Sequence, residues 1–131
     1  MLTRGLWLIA LELTVVKFAW APEPFYWFVL LQVIWAIGWS MIALGLMLGL
    51  GVEVVGVVGL AIVLGHNLLD PIAAADFGGL DWLWMILHER GMLEPLAGHR
   101  VFVSYPLLPW IGVMALGYAL GPVVVAPVPM P

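Results

Sequence analysis

Glu12 is the charged side chain with the clearest potential for chemistry, because it lies near the middle of an apolar block. A carboxylate surrounded by hydrocarbon is costly unless it is paired, protonated or facing a wet cavity, so such a residue is by default a functional candidate. The sequence is equally compatible with a structural role inside a helical bundle. In that case Glu12 forms a buried hydrogen bond or an ion pair, with Lys17 as the nearest cation.

A second polar group consists of His66, Asn67 and Asp70. On a helix, His66 and Asp70 share a face because they are four residues apart, and Asp70 could then orient the imidazole and favour its charged form. Such a pair could perform acid–base chemistry at a membrane surface. The alternative interpretation is a helix end whose polar groups meet headgroup water.

Metal chemistry has no support in this sequence. The chain contains no cysteine, which excludes disulfides and thiolate metal sites. His88 and His99 have no ligand spacing, and we expect both to be exposed. Nucleophile elbows and phosphate-binding glycine loops are also absent from the sequence. We therefore expect no metal.

The composition indicates that lipid surrounds the elements that position these residues. Hydrophobic residues make up 65% of the chain and charged residues 9%, against about 25% charged in soluble domains. Long apolar stretches without alternation predict an all-α, polytopic transmembrane bundle rather than a barrel. The scattered net charge of −4 argues against nucleic-acid binding, so the lipid bilayer is the expected partner.

Residues 1–125 are predicted to form one transmembrane domain, followed by a frayed, proline-rich tail at 126–131. The polar stretch 70–104 is predicted to be an extramembrane loop that contains a short interfacial helix at 80–88. The first apolar block also resembles a secretory signal, but its charges interrupt the apolar run that a signal needs. The lengths of the apolar blocks predict about four spanning helices, at about 5–20, 27–50, 54–69 and 107–125.

Small residues recur at helical spacing within these blocks. Such residues let helix backbones approach closely in a membrane, where no hydrophobic effect drives association. We interpret them as packing positions within the bundle, with dimerisation of the chain as the alternative. The pairs are Gly45 with Gly49, Gly56 near Gly59, and Gly117 with Gly121.

Four blocks in a fixed order resemble the bacterial heparan-alpha-glucosaminide N-acetyltransferase catalytic domain-like membrane family. The resemblance extends over nearly the whole chain, up to Gly121. Because the blocks follow one another in the family's order, they are more specific together than any one alone. They are RGLWLI with LELTVV (4–16), QVIWAIGWSMIAL (32–44), GHNLLD (65–70) and YPLLPWIGVM (105–114).

The resemblance implies acyl transfer across a bacterial inner membrane, with acetyl-CoA as the cytosolic cosubstrate and an amino-sugar acceptor on the other side. It places Met1 in the cytoplasm and the loop 70–104 outside, although three of the four cations lie on the loop side and weakly favour the reverse. The residues expected to line or support the acceptor end are Glu12, His66, Asn67, Asp70, Tyr105 and Trp110.

Family members are larger, and their catalytic histidine region belongs to a helix pair that precedes the block matched at Arg4. The resemblance therefore predicts an internal fragment or truncated homologue that is inactive alone. Its partners would be the missing helices or a second copy. The alternative is a non-enzymatic small membrane protein, such as a transporter half or a scaffold, in which the same polar residues only satisfy helix ends.

Overall fold

The computed structural model describes residues 1–20, 28–96 and 99–125, so the predicted tail at 126–131 lies outside the described residues. The chain begins with helix α1 (Leu2–Leu11), which continues through a π-helical turn (Glu12–Val16) into α2 (Lys17–Trp20). The remaining helices and strands are β1 (Phe28–Leu31), α3 (Val33–Met47), α4 (Val52–Gly65), α5 (Asp81–Leu87), β2 (Gly91–Leu96), β3 (His99–Val103) and α6 (Leu107–Val125). Short 3₁₀ turns occupy Leu48–Leu50, His66–Leu69 and Ala74–Leu80.

Three helical segments are long and apolar enough to cross a membrane: Val33–Leu50, Val52–Leu69 and Leu107–Val125. They coincide with three of the four predicted spans, although the first begins at Val33 and not at residue 27. The segment 2–20 is helical throughout but carries Arg4, Glu12 and Lys17. It is not among the three, so the residues that the structure describes are mostly helical and contain three candidate spans where four were predicted.

The structure is mostly helical, as predicted, but it also contains a three-stranded sheet in the order β1-β3-β2, which corrects the all-α prediction. Strand β1 pairs in parallel with β3, and β2 pairs with β3 in antiparallel orientation. The residues of β1 belong to an apolar run whose periodicity does not distinguish a strand from a helix. Its partner lies far along the chain, in the stretch predicted to be a loop, so local pattern alone gave no sign of the pairing.

Glycines bring the helices together in antiparallel pairs. A Cβ added to Gly5 would lie 2.6 Å from the Gly38 carbonyl oxygen, so α1 and α3 are in backbone contact. A Cβ added to Gly59 would lie 2.6 Å from the Leu116 backbone nitrogen, which places α4 equally close to α6. The packing role is confirmed for Gly59.

Other glycines divide into two groups. Gly56 also faces α6, since its added Cβ would lie 2.8 Å from the Ala119 Cβ. Around Gly49, Gly117 and Gly121, by contrast, none of the described residues comes within 4 Å of an added Cβ. Packing within the chain therefore explains the central glycines of α4 and leaves these three unexplained.

The sheet and the described residues of the polar stretch 70–104 lie at one end of the bundle, which we call the sheet end. Strands β1 and β3 run parallel and lead directly into α3 and α6, so both helices start at the sheet. Since α1 and α4 are antiparallel to them, the α1–α2 segment and α4 finish at this same end. The main core joins sheet and helices and contains Leu31, Trp35, Ala36, Val103 and Leu107.

Candidate functional site

Glu12 links the first helical segment to the start of α3. Its side chain is only 2% exposed, and its Oε1 accepts a hydrogen bond of 3.2 Å from the backbone N–H of Gln32. Gln32 is the N-cap residue of α3, and the first backbone N–H groups of a helix have no partner within it. The carboxylate therefore stabilises the positive end of α3.

The second carboxylate oxygen of Glu12 makes no such hydrogen bond to the residues that the structure describes. Within the described residues, Oε2 is buried without a hydrogen-bond partner. Glu12 is also the first residue of the π-helical turn, and such turns occur frequently at functional sites. Of the two roles considered from the sequence, the structure provides the buried hydrogen bond and leaves one oxygen that could receive a further donor.

Asp70 pairs with His88, not with His66. The Asp70 Oδ1 lies 3.1 Å from the His88 Nε2, whereas the His66 Nδ1 lies 3.1 Å from the carbonyl oxygens of Ile62 and Val63 in its own helix. The predicted pairing assumed that the helix continued through residue 70. Instead, the α-helical turn tightens into a 3₁₀ turn at His66–Leu69, which changes the direction of the following side chains.

His88 was missed as a candidate because its sequence context suggested an exposed loop. Its side chain is only 8% exposed, so that expectation is wrong. The ring lies against Trp84, with centroids 5.2 Å apart, and Trp84 in turn stacks on Phe77 at 4.7 Å. The Trp84 Nε1 donates to the Ile72 carbonyl at 3.0 Å, which fixes this aromatic support. The burial of His88 could have been inferred from the apolar run that precedes it in the sequence, at 82–87.

Glu89 also links α5 to the segment that precedes it. Its Oε2 accepts a 2.6 Å hydrogen bond from the backbone N–H of Ala74. The His88 Nδ1 is buried and, among the described residues, has no hydrogen-bond partner. The segment around Asp70 and α5 is therefore a defined unit in which two carboxylates and one imidazole occupy fixed positions.

The remaining predicted site residues also lie at the sheet end, and of these Asn67 contacts this unit through its backbone. Tyr105 and Trp110 make an edge-to-face contact with ring centroids 5.7 Å apart, at the start of α6. Asn67 is exposed, and its backbone carbonyl accepts from the Asp70 N–H at 3.3 Å. All six predicted residues thus lie at the sheet end, and their role in binding an acceptor stays a prediction.

We call the unit formed by Asp70, α5, His88 and Glu89 the polar layer. An apolar groove with a volume of about 710 Å³ lies against the α5 side of this layer. Its back wall is one face of α3, its roof is α5 with the sheet, and its sides are Leu13 of the π-helical turn and the first two turns of α6. All the described side chains that line it are apolar. In the part of the chain that the structure describes, no cluster of three His, Cys, Asp or Glu side chains has the geometry to hold a metal ion.

The Asp70–His88 pair gives the first prediction, which concerns energetic coupling. A double-mutant cycle with Asp70→Ala and His88→Ala should give a coupling free energy of about 0.5 kcal/mol, since Asp70 is largely exposed and solvent weakens the pair. The measurement is the free energy of unfolding of the four proteins in detergent. The matched cycle of Asp70→Ala with His66→Ala should give no coupling, and an equal coupling there would contradict the assignment.

The family model described as heparan-alpha-glucosaminide N-acetyltransferase, catalytic, matches residues 2–128. Neither the curated proteins nor the solved structures gave a match to the chain. The matched range contains every element described above, including the sheet that the sequence analysis missed.

Proposed function

This chain belongs to the heparan-alpha-glucosaminide N-acetyltransferase catalytic family, and on that premise we propose that it is part of a membrane acetyltransferase. The proposed reaction moves an acetyl group from acetyl-CoA to an amino-sugar acceptor across the membrane. The observation that carries the proposal is the match over residues 2–128. Three helices that could cross a membrane support an integral membrane location, for which we propose the bacterial inner membrane.

The proposed transfer is an aminolysis of a thioester. The acceptor nitrogen attacks the acetyl carbonyl carbon, the new C–N amide bond forms, and the C–S bond of acetyl-CoA breaks. The nitrogen loses one proton and the sulfur leaves as the coenzyme A thiol, so protons balance without another reactant. The groups that assist must therefore accept a proton from an amine and hold that amine near the thioester.

We place the acceptor at the sheet end. The buried Glu12 Oε2 is an acceptor that lacks a donor among the described residues, and an amine supplies donors. Asp70 and His88 add a carboxylate–imidazole pair at the same end. The other four predicted residues are proposed to support this region and not to react: His66, Asn67, Tyr105 and Trp110. His66 contacts a carbonyl oxygen of its own helix, and Trp110 packs against Tyr105.

We also propose that these 131 residues do not catalyse the transfer by themselves. The family resemblance implies that the catalytic histidine region belongs to a block that contains none of His66, His88 and His99. Of these, His66 binds carbonyl oxygens of its own helix, and His88 is mostly buried against Trp84. The purified chain in proteoliposomes should therefore give no acetyl transfer from acetyl-CoA to methyl 2-amino-2-deoxyglucoside, measured with radiolabelled acetyl groups. Sustained turnover would contradict this part of the proposal.

The acetyltransferase assignment itself is tested in membranes of the source organism. Disruption of the gene should remove transfer of labelled acetyl groups to amino sugars, and an intact copy should restore it. A copy with Asp70→Asn should restore the protein level but less of the activity, whereas Glu53→Gln, at an exposed position in the first turn of α4 and far from the sheet end, serves as the control. Equal activity with and without the gene would favour the non-enzymatic alternative, a scaffold or a transporter half.

A further inference from the structure

We propose that the apolar groove holds the hydrocarbon tail of the acceptor, so that the substrate is a lipid-linked amino sugar. This inference rests on the proposed function for the amino sugar and on the groove for the tail. The volume of about 710 Å³ lies within the range of about 300–1,000 Å³ typical of small-molecule sites. The lining is apolar throughout the described residues, which fits a ligand part without polar atoms.

The groove has the length and direction of a lipid chain. Its back wall follows one face of α3 from Trp35 through Trp39 and Ile42 to Leu46, which corresponds to about 17 Å along the helix axis. Since α3 is one of the candidate membrane spans, the groove runs along a span and not across it. At its lower part Leu46 is 72% exposed, so a chain can enter from the surrounding hydrocarbon.

Helix α5 connects the groove to the polar layer. Four of its side chains, including Ile86 and Leu87, line the groove from above. On the other side of the same helix, Trp84 contacts His88, whose imidazole pairs with Asp70. A ligand with its tail under α5 therefore has its headgroup within reach of the sheet end, where the proposed acceptor site lies.

The size of the lining side chains argues against another helix as the occupant. Both close helix pairs in this protein use backbone contact at glycines, as at Gly5 with Gly38 and at Gly59 with α6. Such small residues are what membrane helices need in order to approach each other closely. The described lining of the groove contains no glycine and presents Trp, Leu and Ile instead. A thin, flexible chain can fit between these side chains without a flat contact surface.

The charge of the layer above the groove favours a cationic headgroup. Between residues 66 and 90 the only basic residue besides the histidines is Arg90, and it packs over the Phe102 ring at 5.5 Å. Two further cations, Lys17 of α2 and Arg100 of β3, lie at the sheet end outside this stretch. The acidic residues in the stretch outnumber Arg90, and each accepts a hydrogen bond that holds it in place. They are Asp70, Asp76, Asp81 and Glu89. An ammonium group of an amino sugar complements these four carboxylates.

The test compares three probes in lipid nanodiscs that contain the full chain. They are dodecyl 2-amino-2-deoxyglucoside, which has both tail and amine, methyl 2-amino-2-deoxyglucoside, which lacks the tail, and dodecyl glucoside, which lacks the amine. A version of the first probe with a brominated tail reports binding, because bromine quenches the tryptophans of the groove. We expect the first probe to bind at least about tenfold more tightly than either of the others.

Two variants locate the tail. Ala43→Phe fills the groove and should weaken binding of the first probe about tenfold, whereas Val113→Phe, at an exposed position on α6 outside the groove, should leave it unchanged. Leu46→Ala removes a tail contact at an exposed position and should weaken binding about threefold without a risk to folding. Thermal unfolding of each variant checks that the fold is kept.

Each contrary result has a separate meaning. If the methyl probe binds as tightly as the dodecyl amino sugar, the tail inference is wrong and the proposed function stands. If dodecyl glucoside binds equally well, the amine is not recognised and the assignment to an amino-sugar acceptor fails. If Ala43→Phe dissociates a dimer and leaves tail binding unchanged, the groove is an interface between copies and the inference is overturned.

Discussion

Replacement of Gly38 by alanine should destabilise the protein by about 2 kcal/mol or more, because the new methyl group has no space. Its Cβ would lie 2.8 Å from the Gly5 carbonyl oxygen and 3.2 Å from the Ile9 backbone nitrogen. Backbone atoms cannot move aside as the end of a side chain can, so α1 must separate from α3. The measurement is the free energy of unfolding in detergent by denaturant titration.

Gly117 provides a matched control, since it is also a helical glycine in a candidate span. It is exposed, and none of the described residues lies within 4 Å of an added Cβ. Gly117→Ala should therefore stabilise the protein by up to about 1 kcal/mol, through the better helix propensity of alanine. Opposite signs for the two substitutions are the expected pattern, and a loss of stability in Gly117→Ala would show that this glycine meets another helix.

Loss of the Glu12 carboxylate should have the second large effect. In Glu12→Leu the half-buried backbone N–H of Gln32 at the start of α3 loses its acceptor, which should cost about 2 kcal/mol. Glu12→Gln keeps an acceptor oxygen and should lose less, about 1 kcal/mol. Unfolding free energies of both variants test this order.

Glu53 is the control for the change of residue type. It lies in the first turn of α4 but is exposed, so Glu53→Leu should change stability by no more than about 0.5 kcal/mol. A Glu12→Leu protein as stable as the Glu53→Leu protein would mean that the carboxylate does not hold the start of α3. Acceptor binding by Glu12→Gln, measured in parallel, separates stability from recognition.

Helices with sufficient length and apolar character were predictable from the sequence, and α4 and α6 are close to their predicted positions. The sheet was not, because β1 lies in a continuous apolar run and pairs with β3 far along the chain. Hydrophobic periodicity reports on local structure and contains no information about such a partner. For the same reason the stretch 70–104 was predicted to be a loop with one short helix at 80–88. Helix α5 lies at that position, but the strands β2 and β3 in the same stretch were not predicted.

The partners of individual polar side chains were also only partly predictable from the sequence. Glu12 was identified because its charge conflicts with its apolar surroundings, and that conflict is visible in the sequence. His88 was not, because its burial depends on Trp84 and its partner Asp70 lies eighteen positions away. The helical spacing of His66 and Asp70 suggested a pair that the 3₁₀ turn then separates. Side-chain partners across turns depend on backbone geometry that spacing does not specify.

The parallel pairing of β1 with β3 determines the order in which this chain can assemble during synthesis. Phe28 pairs with Arg100, so β1 leaves the ribosome long before its partner exists. Until then α3 and α4 can enter the bilayer, while the polar edge of β1 stays unpaired. Contacts between distant residues form late because the intervening chain must first be ordered. Since β3 contributes Val101 to the groove, the groove is complete only after β3 has paired with β1.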